Sequence, residues 1–347
     1  MSLLCPIDFR YGRPKMKAVF EEDNRLQRLL DVEAALARAE AKAGVVPGDA
    51  AQAITAHASV KEVTPARVTE LEKETRHDIM AVVLALSDAS GPEAGKYVHL
   101  GATSNDISDT ATALQLRDAI AILDGSLEGL AHALADLARK HKGTVMLGRT
   151  HGQAAIPITF GLKMAVYAAE VERHRERIVE TTKRVVVGKM SGAVGTGAAF
   201  GPKALEIQAA VMADLGVGVD EAATQVVGRD RYAEFIAVLA NVASSLEKFA
   251  TEVRNLQRNE IGEAAEAFEA KARQYREMPK DAAEEPSTRA DLDRLAVQAG
   301  TLAALAAELE AALRAGLPVP AALEVRRRLA GLYAEPLADP ARAARPL

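Results

Sequence analysis

Tryptophan is absent from this 347-residue chain, and aromatic residues make up only 4% of it. A core without large rings has to be built from Ala, Leu, Val and Ile, which favours closely packed helices. Cys5 is the only cysteine, which excludes an intrachain disulfide and fits a reducing, cytoplasmic setting. There is no excess of positive charge: the formal net charge is −5, which argues against a nucleic-acid surface. No apolar run approaches the length of a transmembrane helix, so no membrane partner is expected. The N-terminal stretch MSLLCPIDFRYGRPK has neither a long apolar core nor a small-residue cleavage site, so no signal peptide is expected. Period-2 alternation is almost absent, and no internal repeat is visible. Gly195, Gly197 and Gly201 have the wrong spacing for a dinucleotide fingerprint and no preceding strand. No phosphate loop, no metal-ligand spacing and no Gly-x-Ser-x-Gly nucleophile turn is present. Neither a cofactor nor a metal is therefore expected.

What is present is helical periodicity. Apolar residues are 49% and charged residues 26%, an ordinary globular composition, and the length suffices for two or three domains. Leu26, Leu29, Leu30, Ala34 and Leu36 form one stripe over 21–43, ended by Gly44 and Pro47. Thr64 caps a helix with Pro65 in its first turn, predicted to run through His77 to about Ser87. Ser104 or Asn105 is expected to cap a helix reaching about Lys142, closed by Gly143. Further helices are predicted over 157–187, 202–215 and 230–265, with a glycine-rich interruption, GKMSGAVGTGAAFG, at 188–201. Runs of this length usually bury stripes against one another in a bundle. The fold class is therefore all-α, a long-helix bundle. Three regions are expected: an N-terminal helical domain (1–104), a central long-helix domain (105–265) and a C-terminal segment of different texture (266–347).

Four clusters carry chemistry. His151 sits in GRTHGQAAIPITFG (148–161) between Gly148 and Gly152. Its imidazole suits proton transfer near neutral pH, and the glycines allow close backbone approach to a ligand. Thr103, Ser104 and Asn105 follow Gly101 at a helix start, where hydroxyls and free N–H groups favour an anion; plain N-capping needs only one of them. Arg76, His77 and Asp78 are read as mid-helix, either with Asp78 helping to set the charge of His77 or as a solvated face. Arg10 and Tyr11 precede Gly12 and suit phosphate recognition, or form an ordinary surface pair.

Together with DFRYGRPKM (8–16), ETRHDIMA (74–81), HLGATSNDISDTA (99–111), GKMSGAVGT (188–196), TQVVGRDRYAE (224–234) and TEVRNLQRNEIGE (251–263), these strings make the chain resemble the fumarase/aspartase superfamily. Within it, the Arg-Thr-His form at 149–151 resembles the adenylosuccinate lyase family rather than the carboxymuconate cycloisomerases. The resemblance implies a helical fold with a central bundle, a homotetramer, and active sites shared between subunits. It implies β-elimination of fumarate from adenylosuccinate, giving AMP, and from the succinylo-carboxamide intermediate of purine biosynthesis. Carried over by position, His151 is the general acid and His77 supports it. Arg10 and Tyr11 match the nucleotide-binding pair, with Arg76 and Asp78 flanking His77 on the substrate side. Thr103 and Ser104 match contacts to the succinyl carboxylates, with His99 beside them. Gln225 matches a substrate-binding glutamine. Arg229 and Arg231 fall in an Arg-Asp-Arg string whose role is binding or structural.

The pattern breaks after Gly262. The family's mobile loop, roughly Gly-Ser-Ser-x-Met-Pro-x-Lys, carries the serine that acts as base. Here the region reads EAKARQYREMPKDAAEEPS (269–287). Met278, Pro279 and Lys280 echo the loop, but Tyr275 and Arg276 stand at the serine positions, and arginine is a poor base. The later string that completes the third domain is not visible. Three explanations are open: an altered reading frame beyond about residue 265, a divergent paralogue without the base, or transfer of its role to Ser287 or Tyr275.

Overall fold

A computed structural model describes residues 12–258 and 261–263. Arg10, Tyr11 and the segment 266–347, with its loop and base candidates, lie outside the described residues. Among those described, one compact unit takes in residues 12–145 and 158–243, and a second takes in 146–157, 244–258 and 261–263.

The first unit opens with helices α1 (Pro14–Phe20), α2 (Glu22–Lys42), α3 (Gly48–His57), α4 (Pro65–Thr75) and α5 (Asp78–Ala94). The α2 stripe buries Leu26, Leu29, Leu30, Ala34 and Leu36 as the periodicity predicts. Each such leucine contributes about 1.5–3 kcal/mol by leaving water. Glu22 and Asp23 in its first turn and Lys42 in its last complement the helix dipole. The Thr64 hydroxyl accepts from Arg67 N at 3.3 Å, and Pro65 occupies the first turn of α4.

Helix α6 (Ser104–Lys140) follows a short 3₁₀ turn at Gly95–Tyr97. Its 37 residues span about 55 Å. It packs along α7 (Phe160–Val185). The buried positions of α7 are Gly161, Met164, Val171, His174, Ile178, Thr181 and Val185, spaced three, seven, three, four, three and four apart. Ile120, Leu127, Ala131 and Leu134 of α6 repeat that rhythm, so the two helices meet along a heptad seam. Gly161 allows the backbones to close up at the end of the seam, because a Cβ there would lie 2.6 Å from Ala138 O. A second 3₁₀ segment (Ala198–Lys203), α8 (Ala204–Leu215) and α9 (Asp230–Leu256) complete the helices. The described residues are thus all-α apart from two small pairings. The chain forms a hairpin of β1 (Val145–Thr150) and β2 (Gln153–Thr159), and a short parallel bridge of β3 (Val187–Gly188) with β4 (Gly218–Val219), in which Val187 faces Gly218. No described helix is long and apolar enough to cross a membrane.

Four sequence expectations are corrected. The helix predicted through His77 stops at Thr75: Arg76 takes a left-handed backbone (φ 54°) and His77 caps the next helix. The cap of α6 is Thr103, one residue before the expected Ser104 or Asn105. The helix expected from 157 begins at Phe160, because 145–159 is spent on the hairpin. The helix expected to start at 202 begins with a 3₁₀ segment at Ala198, since Gly201 has φ 68° and Pro202 follows it.

Candidate functional site

The first turn of α6 gathers four of the sequence-predicted residues of the first unit, His77, His99, Thr103 and Ser104. The chain reaches it through a turn in which His99 (φ 64°) and Gly101 (φ 74°) are left-handed. A non-glycine residue in that region is uncommon and is concentrated at functional sites. At Gly101 a Cβ would press to 2.9 Å on the Phe200 ring. Thr103 N donates to Asp106 Oδ2 at 2.9 Å, fixing the entry to the helix.

His99 is held from behind. Its Nδ1 lies 2.7 Å from Glu33 Oε1 of α2, with the Glu33 side chain 0% and the His99 side chain 16% exposed. Burial alone lowers the His99 pKa. The Glu33 hydrogen bond, the Glu33 charge and the Asp106 charge outweigh it, and the net direction is upward.

Beneath the turn lies an ion pair that sequence reasoning passed over. Lys189 and Asp106 are both fully buried and their charged groups are in contact. Asp106 also accepts from Ser191 N (3.1 Å) and Gly192 N (2.9 Å), besides Thr103 N. This one carboxylate therefore pins the glycine-rich segment after β3 to the start of α6. A charged Asp three residues past a Thr cap was the available signal.

The break at 76–78 delivers His77 to the same place. His77 Nε2 lies 3.2 Å from Ser104 Oγ, and its Nδ1 accepts from Met80 N at 3.2 Å. Accepting at Nδ1 puts the proton of a neutral ring on Nε2, which then donates to Ser104. Asp78 does not take over that nitrogen: its carboxylate stands 3.6 Å from Nδ1 and 3.5 Å from Arg25. Arg76 is exposed, with no ion-pair partner among the described residues.

One turn further along α6, buried Asp109 accepts from Val227 N (2.8 Å) and from Arg229 Nη2 (3.0 Å). The Arg229 guanidinium also lies over the Tyr232 ring at 5.2 Å. Burial first, then the Asp109 charge, raises the Tyr232 pKa against the opposing influence of Arg229. Arg229 is thus engaged with the protein itself, and Arg231 likewise pairs with Asp220 at 2.9 Å. Gln225 is exposed on the loop between them.

In the second unit, His151 and Gly152 form the two-residue turn of the hairpin, with φ 55° and 70°, as a type I′ connection requires. His151 is exposed, and its Nδ1 lies 2.7 Å from Thr150 Oγ1. Glu263 braces the hairpin by accepting from Leu147 N at 3.0 Å and pairing with Arg149. Within the first unit the structure therefore brings together His77, Ser104, Thr103 and His99. Arg229 is tied to α6 through Asp109, and Gln225 has no side-chain bond to the cluster. His151 stands at a tip built by the second unit.

Comparisons with known proteins bear on this arrangement. A family model described as "Lyase" matches residues 8–274. The adenylosuccinate lyase of Pyrococcus abyssi is 55% identical over 263 residues, covering 76% of this chain and 58% of that protein. Among solved structures, a fumarate lyase from Mesorhizobium sp. BNC1 is 40% identical with a TM-score of 0.67, covering 73% of this chain and 60% of that one. A 3-carboxy-cis,cis-muconate lactonizing enzyme from Pseudomonas putida is 39% identical with a TM-score of 0.69, covering 74% and 59%. The chain spans somewhat under 60% of the length of the curated relative from Pyrococcus abyssi. The chain belongs to the lyase family of the fumarase/aspartase superfamily.

Proposed function

We propose that this chain carries the chemistry of a purine-biosynthetic C–N lyase: β-elimination of fumarate from adenylosuccinate, giving AMP, and from the succinylo-carboxamide intermediate. The observation that carries the reading is the His77–Ser104 contact of 3.2 Å, set beside the His99 turn at the positive end of a 37-residue helix. Hydroxyls, imidazoles and a helix N-terminus suit a dicarboxylate whose charge grows as a proton leaves the carbon next to a carboxyl group. In this reading Thr103 and Ser104 take the succinyl carboxylates, with His99 beside them. His77 donates through Ser104 toward the same anion. His151 protonates the leaving nitrogen through Nε2, which has no hydrogen-bond partner among the described residues, its Nδ1 being engaged by Thr150. Arg10, Tyr11, Arg76 and Asp78 serve the nucleotide end, while Gln225 and Arg229 complete the binding surface, Arg229 chiefly by ordering its loop through Asp109.

The substrates are small molecules, and the assembly is a homotetramer in which one copy's His151 joins another copy's helix start. Exposed Leu162, Val166 and Val179 on α7, and Ile236, Leu246 and Val253 on α9, support copies packing on those helices. A cytoplasmic setting follows from the metabolites involved.

A second reading has its own support. The segment 269–287 carries Tyr275 and Arg276 where the family's loop has serines. The chain is then a non-catalytic oligomeric or nucleotide-binding subunit. Ultraviolet absorbance of the protein mixed with adenylosuccinate separates the two. The lyase reading expects release of fumarate, abolished in His151→Ala. AMP binding by calorimetry without turnover selects the second reading, and neither binding nor turnover rejects both.

A further inference from the structure

Glu33 is the least expected residue near the site. It lies inside the apolar stripe of α2, between Leu29 and Leu30 on one side and Leu36 on the other, and is fully buried. Its Oε2 has no hydrogen-bond partner among the described residues. Burying an ionised carboxylate is expensive, and a buried ion pair is generally no more stable than an apolar replacement of the same volume. Its one partner, His99, occupies a left-handed backbone conformation. The arrangement therefore adds little to stability and a great deal to the orientation of one ring.

We propose that Glu33 is a positioning residue for anion binding: its buried carboxylate grips His99 by Nδ1 and presents the outer nitrogen, Nε2, to the negatively charged end of a substrate at the 98–104 turn. The proposal rests on the lyase reading for the identity of the anion. The tautomer logic is specific. A neutral His99 bonded to Glu33 through Nδ1–H carries a lone pair on Nε2 and repels an anion there. An imidazolium has N–H on both sides and attracts it. Glu33 on α2 and Asp106 at the start of α6 both favour the charged ring. Two other charges stand in this neighbourhood: Glu40, which acts on Glu33 from the same helix, and Lys189, which neutralises Asp106. His99 Nε2 has no partner among the described residues, so it is available to a ligand.

The test uses the full-length protein labelled with [¹⁵N]histidine, the His99 resonance being assigned by its loss in His99→Gln. Fumarate, inorganic phosphate and adenylosuccinate are the probes. In the wild type, fumarate or phosphate is expected to shift the Nε2 signal of a protonated ring. Glu33→Gln retains the size of the side chain and removes its charge. It is expected to lower the titration midpoint of His99 and to weaken fumarate binding about tenfold with the melting temperature retained. Glu33→Asp is expected to restore part of both. The double variant Glu33→Gln/His99→Gln should bind no more weakly than His99→Gln alone. An unchanged His99 titration in Glu33→Gln, additive losses in the double variant, or no response of His99 to any anion overturns the proposal. If phosphate and fumarate move His99 but adenylosuccinate binds no better than they do, the purine reading falls and the role of Glu33 stands.

Discussion

Replacing Lys189 with methionine is expected to destabilise the protein by about 3–5 kcal/mol, the usual result of leaving one member of a buried ion pair alone. Lys189 and Asp106 are both shut off from water, so no solvent compensates a missing partner. The two halves are not equivalent. Without Lys189, Asp106 still accepts from the N–H groups of Thr103, Ser191 and Gly192. Without Asp106, the ammonium is left with the Gly192 carbonyl at 3.4 Å, and three backbone donors, one of them buried and two half-buried, lose their acceptor. Asp106→Leu should therefore be the more damaging change, and Asp106→Asn/Lys189→Met should recover part of the loss, since the amide oxygen still accepts from the backbone. Urea denaturation of the three variants checks the order. A Lys189→Met protein within 1 kcal/mol of wild type, in the sense of ordinary surface changes of about ±0.5 kcal/mol, would sink the account. Because the same carboxylate fixes the Thr103 cap, substrate binding should weaken in parallel with stability.

The helical architecture was legible in the sequence because its signals are local. The α2 stripe, the Thr64-Pro65 start and the two long runs that became α6 and α7 each repeat within a few residues. The hairpin was not legible, for a physical reason. Val145 is 72% and Ile156 79% exposed, β1 buries only Met146 and the side-chain-free Gly148, and no residue of β2 is buried, so the apolar residues do not fall on one alternating face. Its turn is His151-Gly152 rather than the usual Asn-Gly. The break at Arg76 was hidden too, since arginine is a good helix former and nothing local forces it left-handed. In the site, His77, His99, Thr103 and Ser104 stood out as strings. Their supports did not, because Glu33 is 66 residues from His99, Lys189 is 83 from Asp106, and Arg229 is 120 from Asp109. A charged residue inside an apolar stripe, such as Glu33 between Leu30 and Leu36, and an Asp three residues past a Thr cap were the clues available.

The second large effect concerns Glu40, the other buried acid of α2. Burial, and secondarily repulsion from Glu33, push its pKa from the ordinary 4.5 up to about 8, and neither carboxylate oxygen has a hydrogen-bond partner among the described residues. The sign follows from proton counting. Between about pH 4.5 and pH 8 the folded protein holds the Glu40 proton while the unfolded chain has released it, so rising pH favours unfolding across that window. Below it Glu40 is neutral in both states and contributes nothing. Above it the full penalty applies, on the order of 3–5 kcal/mol. Glu40→Gln keeps the shape and removes the ionisation. The variant is expected to match wild type near pH 4 and to be more stable at pH 9, by several degrees in melting temperature at roughly 2–4 °C per kcal/mol. The His99–Glu33 pair changes stability in the same direction, because a histidine with a raised folded pKa loses its contribution as pH rises through that value. The two sources separate in Glu40→Gln, which removes the Glu40 component and leaves the Glu33 hydrogen bond and charge acting on His99. A melting curve for Glu40→Gln that falls with pH as steeply as wild type from pH 5 to 9 would assign the slope to other groups and show that Glu40 ionises without hindrance in the fold.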